Sequence, residues 1–215
     1  MSVDGADVTV AIHTWRRQEV ASVRTFKIGK QPVSVALYAR CVDAGACGQA
    51  SAVGSACAPE ASGVGATAGK DANLPMTCLE PNQAAAFCAW VGGRLPTAAE
   101  WLLAARGPAP ALSSTGSLVT DHPDFCTSNC SLERYRVGQH AESHSPSGVE
   151  DILLTGAEIL RTTPDDRAPG CRQPQEAGCV AFSNGGGTID GLASIAGPDN
   201  VFGAQSFRCV WEVTP

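Results

Sequence analysis

The sequence predicts an α+β fold: two to three short helices, short strands, much irregular loop, and disulfides as staples. Three observations lead there. Helical signals are confined to about 35–43 and 81–107. The long stretch 109–205 is dense in turn residues and poor in periodic runs. The 215 residues include ten cysteines, an even and dispersed set that fits disulfides in an oxidising compartment. The length suits one domain, 1–215, with room for a sizeable core.

The elements follow in chain order. Val20 to Ile28 is a candidate strand. Ser34 can cap a helix over Val35 to Asp43, where Leu37 and Cys41, and Tyr38 and Val42, fall four apart; Gly45 ends it. Residues 46–73 are rich in Gly, Ala and Ser and form a long loop containing Cys47 and Cys57. Pro81 suits a first helical position, and Ala84, Phe87 and Val91 make the stripe of the helix that follows. Gly92-Gly93 stops it. Thr97-Ala98-Ala99-Glu100 is a capping box, in which the hydroxyl accepts from one free amide and the carboxylate from another. The helix it opens runs to about Arg106, before Gly107-Pro108. Further on, Ile152 to Leu160 is the best apolar stretch and 183–187 is a turn or bulge. At the end Phe207, Cys209 and Trp211 alternate with Arg208, Val210 and Glu212, the pattern of a half-buried strand.

Charge and hydropathy exclude some functions. The net charge is −6, and Arg16-Arg17 is the only adjacent basic pair, which argues against a nucleic-acid surface. No apolar run is long enough to span a membrane. Met1 to Val20 has no signal-peptide core, which conflicts with an oxidising compartment unless the chain is a trimmed form or its start is misplaced. A zinc site would need a second tight cysteine pair besides Cys126-x3-Cys130, and none exists. Spacing nominates Cys47–Cys57, Cys171–Cys179 and Cys126–Cys130 as local disulfides, although connectivity does not follow from sequence.

The segment Gly92-Gly93-Arg94-Leu95-Pro96-Thr97-Ala98-Ala99-Glu100-Trp101-Leu102-Leu103-Ala104-Ala105-Arg106-Gly107 resembles the signature G-G-R-L-P-T-E-A-E-W-E-x-A-A-R-G of formylglycine-generating enzymes and their sulfatase-modifying relatives. Ala98 and Leu102 replace two acidic residues. Phe26 to Tyr38 is similar to the family's F-x-I-x-K-x-P-V-T-x-x-x-Y segment, Ala85 to Trp90 to its A-x-x-Y-C-x-W helix, and Ser206 to Cys209 to its closing G-F-R strand. The resemblance covers about Phe26 to Val210. It implies a C-type-lectin-like architecture, with the helices around small twisted antiparallel sheets, a first strand missing before Met1, and a periplasmic, cell-surface or secreted location.

The resemblance also implies chemistry that can be tested residue by residue. The active enzymes oxidise a substrate cysteine at a copper ion held by two thiolates, which suit soft Cu(I). Those cysteines would lie between the turn matched by Gly185-Gly186-Gly187 and the closing strand. No cysteine occurs from Thr188 to Arg208. Cys171 and Cys179 precede the turn at the wrong spacing, and Cys209 follows it. Calcium in this family draws on a D-x-x-G-N-V-W-E-W segment. Asp151 and Glu158 keep its outer spacing and Asn129 matches another ligand, but Leu154, Thr155, Ala157 and Ile159 depart from it, so no tight calcium site is expected. His13, His122, His140 and His144 are scattered, and the helical domain that carries iron-binding histidines in some relatives is missing.

Arg94, Glu100 and Arg106 are expected to form a cap and an ion pair fixing two helices rather than a polar site, and Trp90 and Trp101 to serve the core. The reading favoured is a non-catalytic binding or interaction domain with a protein, peptide or glycan ligand and no cofactor. One alternative is a copper-dependent oxidoreductase using a rearranged pair, Cys171 and Cys179. Another is a structural module of a secreted or surface assembly.

Overall fold

A computed structural model describes residues 2–3, 7–8, 21–50, 72–106, 136–139, 145, 147–151, 157–161, 180–182, 194–196 and 206–213. In chain order the elements are β1 (Ser2–Val3), β2 (Asp7–Val8), β3 (Ala21–Ser22), β4 (Phe26–Ile28), α1 (Val35–Asp43), α2 (Pro81–Trp90), α3 (Ala98–Arg106), β5 (Ala157–Ile159), β6 (Val180–Phe182), β7 (Ser194–Ala196) and β8 (Val210–Glu212). Short helices, small antiparallel sheets and disulfides make this an α+β protein.

Local chemistry explains the helices. Ser34 keeps extended backbone, and its hydroxyl accepts from the Leu37 amide at 3.2 Å, opening α1. The inward residues of α1 are Tyr38 and Cys41, while Leu37 faces out; the expected Leu37–Cys41 face is therefore split between solvent and core. Gly45, at φ +69°, follows the helix in the left-handed conformation that glycine adopts without steric cost. α2 begins at Pro81, and the Gln83 side chain accepts from the Glu80 amide at 3.0 Å. Its buried residues are Ala84, Phe87 and Cys88; Val91, expected on that stripe, is its half-buried C-cap. In α3 the Glu100 amide donates to Thr97 Oγ1 at 3.3 Å and the Thr97 amide donates to Glu100 Oε2 at 2.8 Å. That reciprocal pair satisfies two otherwise orphaned donors.

Three sheets accompany the helices among the described residues. One has the order β1-β4-β8, one pairs β2 with β3, and one has the order β5-β6-β7. In the first, β4 and β8 are antiparallel with Phe26 opposite Glu212, Lys27 opposite Trp211 and Ile28 opposite Val210. The pairing continues beyond the strands, because Gly29 donates to the Cys209 carbonyl at 2.8 Å and Val33 to that of Phe207 at 2.9 Å. On its other side β8 exchanges both backbone bonds between Val210 and Arg94.

Burial on both faces corrects the expectation for the closing strand. Phe207 and Cys209 do face the core, but Arg208 and Val210 are fully buried as well, and Trp211 is half-buried. A strand covered on both faces loses the alternation of a sheet edge that meets water. One face meets the helices. Tyr38 and Phe87 stack with centroids 5.8 Å apart, and Phe207 meets Phe87 edge-on at 5.5 Å. Cys209 is bonded to Cys88 of α2 there.

The cysteine pairing also needs correcting. Cys47 is bonded to Cys41, not Cys57. The turn after α1 brings the chain back so that the Cys47 amide donates to the Cys41 carbonyl at 3.2 Å, and the two Cα atoms are 5.3 Å apart. Cys57, Cys126, Cys130, Cys171 and Cys179 lie outside the described residues.

Candidate functional site

Two arginine–carboxylate clusters flank the closing segment 206–212. The first is internal. Arg208 and Glu158 have no exposed side-chain surface. Arg208 Nη2 donates to Glu158 Oε1 at 2.5 Å and Nε to Glu158 Oε2 at 2.8 Å. The Trp101 indole N–H donates to the same Oε2 at 2.8 Å. Arg208 Nη1 reaches the carbonyls of Gly29 and Lys30, and Nη2 that of Glu150, each at 3.2 Å. The planar guanidinium suits such a junction, since its donors diverge in fixed directions. It joins α3, β5 and the turns at 29–30 and 150 to the closing segment. Burying both charges is tolerable only because their hydrogen-bonding capacity is filled.

Beside this junction lies a polar turn. The Glu150 amide donates to the Lys30 carbonyl at 2.7 Å, and its carboxylate pairs with Lys30 Nζ at 2.5 Å and accepts from Gln31 Nε2 at 2.8 Å. Asp151, with φ +58°, accepts from the Gly138 amide at 2.6 Å. Gly138 has φ +76°, a left-handed backbone that L side chains rarely adopt, and a Cβ there would also come within 2.1 Å of the flexible end of the Gln31 side chain.

The second cluster lies nearer the surface. Arg94 grips Glu100 with two bonds, Nη1 to Oε2 at 2.8 Å and Nη2 to Oε1 at 2.6 Å. The same guanidinium reaches Glu212 Oε1 from Nε at 2.9 Å and from Nη2 at 2.5 Å. Hydrogen bonding to Glu100 is the main reason the guanidinium is held still further above its usual range, against the opposing effect of burial. Burial pushes the Glu100 carboxyl up, but hydrogen bonds from Arg94 and the Thr97 amide, with the charge of Arg94, outweigh it and hold the carboxyl below the usual range. Burial alone pushes the Tyr38 phenol up; its hydroxyl donates to the Gly48 carbonyl at 2.9 Å.

The sequence-derived candidates are thus divided. Arg94, Thr97 and Glu100 come together and Glu212 joins them. Trp101 belongs to the other cluster. The Arg106 side chain and Asn129 lie outside what is described. Glu158, nominated as a calcium-site remnant, spends both oxygens on Arg208 and Trp101, so a cation there would have to displace a buried guanidinium. Among the described residues no three His, Cys, Asp or Glu side chains are grouped to hold a metal ion. Copper does not fit the described sulfurs either, because Cys41, Cys47, Cys78, Cys88 and Cys209 are all disulfide-bonded and offer no thiolate.

The sequence reading does not pair Arg208 with Glu158, although each residue carries a signal of a buried partner. The signal was an arginine inside an otherwise apolar strand and a glutamate inside the Ile152–Leu160 stretch. Each implies an opposite charge nearby.

Together these features define a disulfide-stapled α+β scaffold whose capped helix pair and closing segment are fastened by arginine–carboxylate contacts. The sequence matches the family model of the sulfatase-modifying factor enzyme 1-like domain over residues 4–150. The chain belongs to that family. Among curated proteins, none matches it. The matched stretch includes the Gly92–Gly107 signature and stops short of Glu158 and Arg208, which the fold joins to it through β4 and α3.

Proposed function

We propose that residues 1–215 form one non-catalytic binding or interaction domain on the sulfatase-modifying factor scaffold, a pseudoenzyme of C-type-lectin-like architecture. One observation carries the reading: no cysteine occurs from Thr188 to Arg208, where the family's copper-binding pair is expected. The next sulfur, Cys209, is committed to Cys88. A disulfide sulfur has no lone thiolate for Cu(I). The ligand is a protein, peptide or glycan met by loops around the helices, and a net charge of −6 disfavours nucleic acid. Disulfides are compatible with a periplasmic, cell-surface or secreted location. Among the described residues no helix is long and apolar enough to cross a membrane.

The test is a Cu(I) titration of the oxidised chain, paired with oxygen uptake and mass spectrometry on a cysteine-containing peptide. The expected result is no stoichiometric copper and no aldehyde product. Tight copper binding with turnover, lost in a Cys171→Ser/Cys179→Ser variant, would instead establish the oxidoreductase with a rearranged pair. Peptide and glycan arrays then separate a binding domain from a purely structural module, for which no array ligand is expected.

A further inference from the structure

We draw no further inference here: the strongest candidate, the partly exposed Trp90 ring beside Phe87 at the C-terminal end of α2, is an unpartnered apolar patch, and nothing among the described residues shows what covers it.

Discussion

Arg208 and Arg94 perform the same chemical act in different surroundings. Each grips a glutamate through two of its guanidinium nitrogens, and each fastens the segment 206–212 to the rest of the molecule. Arg208 and Glu158 are wholly buried, whereas Arg94 keeps 25% of its side-chain surface and its second partner, Glu212, keeps 63%. In the interior, losing one partner strands a charge that water cannot reach. At the surface, water replaces a lost partner at small cost. The geometry is similar, so the difference in stability should come from the surroundings. Family membership then has a physical counterpart in the outer clasp, since the signature around Arg94 and Glu100 lies within the matched residues 4–150.

The Cys88–Cys209 disulfide fastens that same segment covalently, and removing it gives the largest expected effect. It closes a separation of 121 residues, against 6 for Cys41–Cys47. In the chain-entropy model the long closure contributes about 5 kcal/mol and the short one about 2 kcal/mol, less where other cross-links already restrict the unfolded chain. Urea unfolding of Cys88→Ala/Cys209→Ala and Cys41→Ala/Cys47→Ala variants should show this order. A reversed order would mean that the segment is held mainly by noncovalent contacts.

Next comes the buried pair. Arg208→Met leaves the Glu158 carboxylate inside without its cation and should cost roughly 3–5 kcal/mol. Replacing both, as Glu158→Leu/Arg208→Met, should recover most of that loss, because the expense lies in the orphaned charge. The Trp101 indole would then lack its acceptor, at about 1 kcal/mol. Chemical denaturation followed by tryptophan fluorescence measures all three. A single variant no worse than the double would remove the distinction between the inner and outer arginines.

How far the sequence revealed this arrangement depended on the range of each interaction. The three helices were legible because their signals are local: the Ser34 and Thr97 caps, Pro81 at a helix start, and Gly45 and Gly92 after helix ends. The Arg94–Glu100 contact spans six residues and was legible as well. Alternation misreads the closing strand because it assumes one wet face, and the second cover comes from Lys30, Glu150 and Glu158, far away in the chain. Spacing gives Cys47 the wrong partner because it carries no information about how the turn at Gly45 folds back. Glu158 enters the sequence reading only through the spacing of the family's calcium segment, and its pairing with Arg208 escapes notice because the counter-charge lies 50 residues on, beyond the reach of any local pattern.

The outer cluster gives a smaller, pH-dependent effect. Because the Glu100 carboxyl is held below its usual range, its contribution is full above the unfolded glutamate pKa, near 4.5. That contribution is lost as pH falls through the lower folded value. Glu100→Gln should cost about 1–2 kcal/mol at pH 7, since it weakens charged hydrogen bonds to Arg94 and to the Thr97 amide. It should also flatten the decline in stability below pH 4.5, leaving wild type and variant closer at pH 3 than at pH 7. A constant gap across that range would assign the effect to packing rather than to charge.

The smallest effect belongs to Glu212. Most of its side chain meets water, and Arg94 retains Glu100 without it. Glu212→Gln should therefore change stability by no more than about 0.5 kcal/mol, and salt should erase even that, since the screening length falls to about 3 Å at 1 M. The Arg208→Met penalty should persist in the same salt, because ions do not enter the core where that pair lies. Parallel denaturation curves at low and high salt thus place the two arginines on one scale. If salt also relieved Arg208→Met, water would have to reach Glu158, and the contrast between a closed junction and an open clasp would fail.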